Sequence, residues 1–540
     1  MTAVFIALFF IAAKVHIVTI KYFLQIFVFI SSSFLPHMKK IFTTPVLVLA
    51  SAIFFTIIFY NESIGVNLPV FELTLISIVL FVQKHQVQSR LSRFALAATL
   101  ITAAAFVFNY SAFSLITNLI SFFIWTGVLM YPGAKSLLTS IRLSFSNILL
   151  SIFNFFERID EARGGKQGSL LSIVHYLKVL VFPILIVALF LLLYRISSPF
   201  FNEGFRKFME LLDGIDFNLV FVFVAGILIS IFALIRQTSS RFIERDKKAS
   251  LVMERVRIKI RNSKAYRLKR EMVSAKFLLI TLNILILVVN ILDIRNVWFG
   301  FVWNGEYLKQ FVHEGTTILI FSILISVGIT LYFFRGNINF YKRSTLLKAL
   351  AIAWMAQNAL LAISVGIRNY WYISYFALAY RRIGVLVFLL LTLYGIYTVI
   401  LKIKNRHTAF YLFRNNLMAL LVVMIAISLV NWEPVIARYN FSHYKTAFIH
   451  FDFLSSFPGK AIPYLEKTPE ELAEIDSYQR TLFRFKMKYM TSQEYAEAIM
   501  KKKMYFKKEW EEKGLWSWNY PEYVAYRSLT ANDAAVISSR

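Results

Sequence analysis

The chain has 540 residues, 58% of them hydrophobic and 54 of them Phe, with a mean hydropathy of +0.62 and a formal net charge of +29. That balance excludes a soluble protein wrapping one core in polar surface and points to a polytopic membrane protein. Cysteine is absent; this excludes disulfides, thiolate metal sites and thiol catalysis, and it leaves the redox compartment open.

The positive excess is unevenly placed. Residues 1–430 carry 43 Lys/Arg against 16 Asp/Glu, whereas residues 431–540 carry 16 against 14. In the first 37 residues Lys14, His16 and Lys21 interrupt an apolar run. Each lysine at mid-bilayer costs about 2.5–3.5 kcal/mol on insertion scales. The segment reads as an upstream extension of a protein that begins "MKKIFTTPVLVLA" at Met38, with a twelfth span or an interfacial helix as alternatives. It lacks the basic leader and small-residue cleavage site of a signal peptide.

Eleven apolar runs follow, near 43–60, 67–83, 94–108, 113–131, 177–194, 217–235, 277–292, 316–334, 346–366, 383–403 and 414–430. Each approaches the roughly 20 residues that a 30 Å hydrocarbon core requires, and continuous apolarity favours helices over a barrel. The basic stretches 84–93, 132–175, 236–276, 335–344 and 402–407 are alternate loops, so the positive-inside rule places all five in the cytoplasm. Eleven spans then put residues 431–540 outside. The segments 140–160 and 198–214 read as interfacial helices; in the second, Phe201, Phe205, Phe208 and Leu212 share one face.

After Val430 the composition changes. Thr468, Pro469 and Glu471 form a capping box that predicts a helix to about Met490, and Thr491 with Glu494 starts another that Gly514 closes. This predicts a small helical C-terminal region that, with Trp510, Trp516, Trp518 and Tyr520 nearby, packs on the membrane domain or lies at the headgroup level.

Catalytic motifs are missing. The chain has no HExxH, GxSxG or GxGxxG, and "ARGGKQGSL" (162–170) lacks the GK[ST] of a phosphate loop. His443, His450 and Asp452 lie in "HYKTAFIHFD" without a metal-ligand spacing. No catalytic residue, metal or cofactor is therefore assigned. The 236–276 loop holds 14 Lys/Arg against 4 Asp/Glu. It reads as a surface on anionic lipid, at about 1 kcal/mol per base, or as a docking surface for a protein partner. No recognition fold accompanies the charge, which argues against nucleic acid.

Polar residues inside spans draw attention because lipid makes them costly. Asn283, Asn290 and Asp293 share one helix face, and Gln357, Ser364 and Arg368 share another. These stripes read as interhelical hydrogen bonds or as a polar path for a transported substrate. Arg368, Arg381, Arg382 and Arg438 gather at one expected outer level beside the aromatic stretch "NYWYISYFALAY". Arginine there grips phosphate or carboxylate with a planar fork, or it snorkels and pairs with Glu433 and other C-terminal acids.

The stretch with Tyr375, Leu378, Arg381 and Arg382, then an apolar span, then Asn431 and "IARYN" (436–440), resembles the C-terminal signature of a bacterial family of polytopic membrane proteins known only as a domain of unknown function. "SWNYPEYVAYRSL" (517–529) is similar to that family's ending. The resemblance implies membrane location and a shared fold, and it implies no activity.

The expectation is an all-α transmembrane bundle of eleven spans, or twelve if residues 1–37 add one, in a bacterial cytoplasmic membrane. The division expected is 1–37, a membrane domain over 38–430, and an external helical region over 431–540. Its role reads as non-enzymatic sensing or scaffolding with an anionic lipid or partner at the outer arginines, and transport is the alternative.

Overall fold

The computed structural model describes residues 40–83, 87–162, 183, 186–187, 189–210, 216–255, 262–299, 305–341, 344–483 and 490–538. The 1–37 segment, the "GGKQGSL" loop and half of the expected 177–194 span lie outside them. The described residues form helices and no strand; one isolated bridge joins Val252 to His407. Among the described residues, eight helices are long and apolar enough to cross a membrane, and Thr44–Phe59, Asn67–Val82 and Thr317–Phe333 are shorter apolar helices. The chain divides into two compact units, residues 1–56 with 149–235 and residues 57–148 with 236–540.

In the first unit, α1 (Lys40–Phe59) approaches a later helix, Phe217–Leu234, at Gly226. A Cβ there would meet Phe55 at 2.9 Å and the Ala52 carbonyl at 3.1 Å, so only glycine permits this spacing.

The second unit begins with α2 (Asn67–Ser77), α3 (Arg90–Asn109) and α4 (Ala112–Met130). Ser89 and Ser111 cap α3 and α4, and each accepts a hydrogen bond from the third helical amide. α5 (Leu137–Ala162) covers the segment 140–160 that the sequence suggests is interfacial. Ser140, Ser144 and Asn147 are buried, and Leu137–Ile159 is long and apolar enough to span a membrane. α5 packs so closely on α4 that a Cβ at Gly127 would fall 2.1 Å from the Ser140 carbonyl. Ser144 donates to the Phe123 carbonyl at 2.6 Å. Its hydroxyls serve helix contact, which sequence polarity cannot distinguish from water contact.

In the basic 236–276 stretch, α6 (Ser240–Lys248) is anchored by Asp246. That carboxylate accepts from the Thr139 hydroxyl at 2.5 Å and the Lys135 amide at 2.9 Å. The unit continues with α7 (Asn262–Asp293), extended by a π-helical turn over Ile294–Phe299, and α8 (Gly305–Phe333). Next come α9 (Thr345–Phe376), α10 (Tyr380–Asn405) and α11 (Ala409–Ser428). α9 is the central helix of this group: Leu347, Ala351, Met355, Leu361, Ala362 and Val365 are buried in one cluster with Leu279, Ile286, Ile323, Leu389 and Ile396.

Residues 431–540 stay within the second unit. α12 (Trp432–Ser442) and α13 (Phe451–Ser455) lead to α14 (Pro469–Leu482) and α15 (Ser492–Glu512), and α16 (Tyr520–Ser538) closes the chain. Both capping boxes form: Thr468 with Glu471 and Thr491 with Glu494 exchange the reciprocal bonds their spacing specifies. α14 stops at Leu482, short of the expected Met490. Buried Lys460 ties the region down, with Nζ 3.0 Å from Glu433, donating to the Asn109 carbonyl at 2.6 Å and the Tyr110 carbonyl at 3.0 Å. The Trp518 carbonyl accepts from the Val66 amide at 2.9 Å.

Candidate functional site

Three residues, 377–379, turn the chain from α9 into α10. Ala377 is buried at φ 62°, ψ −169°, a region that only glycine occupies readily. Such a conformation costs about 1–3 kcal/mol and persists where its surroundings dictate it. The Arg382 guanidinium donates to the carbonyls of Phe376 and Ala377 and lies 4.6 Å from the Tyr372 ring centroid. Those carbonyls end α9, where the helix dipole favours a cation. Asn369 donates to the Arg382 carbonyl at 3.0 Å. From α12, Asn440 donates to the Leu378 carbonyl at 3.1 Å and accepts from its amide at 2.7 Å. The last residue of "IARYN" thus pairs with the turn as a neighbouring strand would.

A cavity of about 700 Å³ opens at this turn. Asn369, Arg381, Arg382, Asn440 and His450 supply its polar wall, and Phe376, Val385 and Phe453 an apolar one. Arg382, Asn369 and Asn440 are committed to backbone atoms. Arg381 is exposed, and among the described residues no carboxylate pairs with it. The His450 ring stacks on Phe376 with centroids 6.1 Å apart. Burial, followed by the charge of Arg382, pushes its imidazolium down to about 4, against a weaker opposing effect of Asp452. His450 is therefore neutral at pH 7, able to donate one N–H without adding charge. The wall combines a guanidinium that has no carboxylate partner among the described residues with neutral donors, an arrangement suited to an anion attached to an apolar body.

The four arginines do not converge. Only Arg381 and Arg382 line the cavity. Arg368 is buried with its Nη2 2.5 Å from Asp293 Oδ1, joining α7 to α9. Arg438 is exposed, its guanidinium 4.8 Å from the Tyr464 ring centroid. Glu433, the carboxylate expected for an arginine, takes Lys460 and the Tyr380 hydroxyl.

The other polar stripe is a ladder along the α7–α9 seam. Gln357 donates to Asn283 Oδ1 at 2.7 Å, and Asn283 donates to the Leu350 carbonyl at 3.1 Å. Asn290 donates to the Gln357 carbonyl at 3.1 Å, and Trp298 to Ser364 Oγ at 2.8 Å. Asp293 with Arg368 completes it. Among the described residues, no group of three or more His, Asp or Glu is placed to hold a metal.

Sequence reading missed Asn440 and weighed His450 only as a metal ligand. The signal available for Asn440 was its place in the "IARYN" element; nothing local marks an asparagine that bonds a turn 62 residues away.

No curated protein and no solved structure matches the chain. A family model described as a domain of unknown function, DUF4153, matches residues 70–468, a stretch that takes in the 377–379 turn, Arg381, Arg382 and Asn440 and ends before "SWNYPEYVAYRSL". The chain belongs to the DUF4153 family.

Proposed function

We propose that this is a multi-pass protein of a bacterial cytoplasmic membrane that senses or scaffolds without catalysing a reaction. It does so by holding an anionic group, the phosphate of a membrane lipid or a partner's carboxylate, in the cavity at the α9–α10 turn. The observation that carries the reading is Arg381, an exposed guanidinium with no described carboxylate partner, on the rim of a cavity walled half by donors and half by apolar side chains. Arg382 orients the turn, and Arg381 meets the ligand. The positive-inside assignment puts this end on the outer face, and the basic loops at the other end rest on anionic lipid. The transport alternative draws less support, because Asn283, Asn290, Asp293, Gln357 and Ser364 each bond across the α7–α9 seam.

Native mass spectrometry of the purified full-length protein tests the reading. Wild type is expected to retain phospholipid, and Arg381→Ala to lose it with a stability change within about 0.5 kcal/mol, as for an exposed side chain. Equal phospholipid retention in both proteins overturns the lipid reading.

A further inference from the structure

Glu72 is the single charged residue of α2, and it is 4% exposed. Its Oε2 accepts from Asn118 Nδ2 at 3.0 Å, and that amide group also lies 3.4 Å from Thr102 Oγ1. Glu72 Oε1 and Asn118 Oδ1 are both buried without a hydrogen-bond partner among the described residues. The neighbouring hydroxyls do not fill that role. Thr99, Thr102, Thr117 and Ser121 donate to carbonyls of their own helices.

Among the described residues of the helices packed around it, no cation offsets the charge. α4 has no charged residue. On α3 the charged residues are Arg90 and Arg93, both exposed in its first turn, and on α11, which packs against α3 and α4, Arg414 is exposed. An ionised carboxylate with one amide donor in an apolar bundle is strongly disfavoured. A metal ion would need several converging oxygens, whereas here two acceptors lack donors. One proton on Oε1 removes the charge and makes that oxygen a donor.

We infer that Glu72, with Asn118, is a proton-binding site inside the α2–α3–α4 bundle, occupied at neutral pH. The carboxylic acid holds α2 against α4, and loss of the proton opposes that packing. The site is separate from the α9–α10 cavity, and the reading does not depend on the anion ligand.

Infrared spectroscopy of the full-length protein in nanodiscs tests this. A protonated-carboxyl C=O band at pH 7 is expected in wild type, absent from Glu72→Gln and fading only at alkaline pH. A band unchanged in Glu72→Gln, or none in wild type at pH 7, overturns the proposal. If Glu72→Gln fails to fold, wild type treated with a hydrophobic carbodiimide serves in its place, because that reagent needs a protonated carboxyl. Modification of the Glu72 peptide at pH 7, slowing as pH rises and indifferent to sodium, supports the proton site. Labelling suppressed by sodium, or absent at every pH, overturns it.

Discussion

Replacing Ala377 with glycine should cost far less than the same change elsewhere on the helix that precedes it. An ordinary buried Ala→Gly change in a helix interior loses about 0.5–1 kcal/mol of backbone entropy and about 0.8 kcal/mol of buried methyl. Ala351, fully buried inside α9, is such a site, so Ala351→Gly should destabilise by about 1.5 kcal/mol. Ala377 is equally buried but sits at φ 62°, ψ −169°. There glycine recovers the strain of about 1–3 kcal/mol, which offsets the two losses and leaves the change near neutral. Reversible unfolding in mixed SDS–detergent micelles measures both variants. Ala377→Gly as damaging as Ala351→Gly would refute the idea that Arg382, Asn369 and Asn440 hold the turn in a strained form.

Other consequences concern charge. Arg368→Met should destabilise the protein by about 3–5 kcal/mol by leaving Asp293 buried and unpaired, and adding Asp293→Leu should restore most of the loss; the unfolding free energies of the single and double variants decide. For His450, the folded value of about 4 lies below the ordinary 6.5, so the unfolded chain binds the proton more readily between those pH values. Stability should then be unaffected above pH 7 and fall by about 2 kcal/mol on going to pH 5, a slope that His450→Phe removes. A bound anion facing His450 favours the imidazolium, so phospholipid retention should strengthen as pH drops through the same window. Retention that weakens on acidification would contradict a ligand beside that ring.

Local signals were readable in the chain, and distant partnerships were not. Thr468 with Glu471 and Thr491 with Glu494 specify their helix starts within four residues, and both caps form. The apolar runs mark most helices because lipid-compatible length and composition are continuous properties of a segment. Asn283, Asn290 and Gln357 were legible as stripes, but their pairing across α7 and α9 depends on how two helices rotate against each other. The arginines failed as a group for the same reason. Equal distance from a predicted boundary says nothing of azimuth, and Asp293, 75 residues from Arg368 in the chain, claims it on one side of α9. The setting of the α5 serines was not legible either, because a hydroxyl facing a glycine on a neighbouring helix has the same composition as one facing water.

The claim that Arg381 recognises an anionic ligand is tested most directly by a cryo-electron microscopy reconstruction of the full-length protein in nanodiscs containing anionic phospholipid. The account predicts headgroup density within hydrogen-bonding distance of the Arg381 guanidinium, with acyl-chain density along Phe376 and Val385. A carboxylate of the same chain bound to Arg381, or water alone in the cavity, would contradict it.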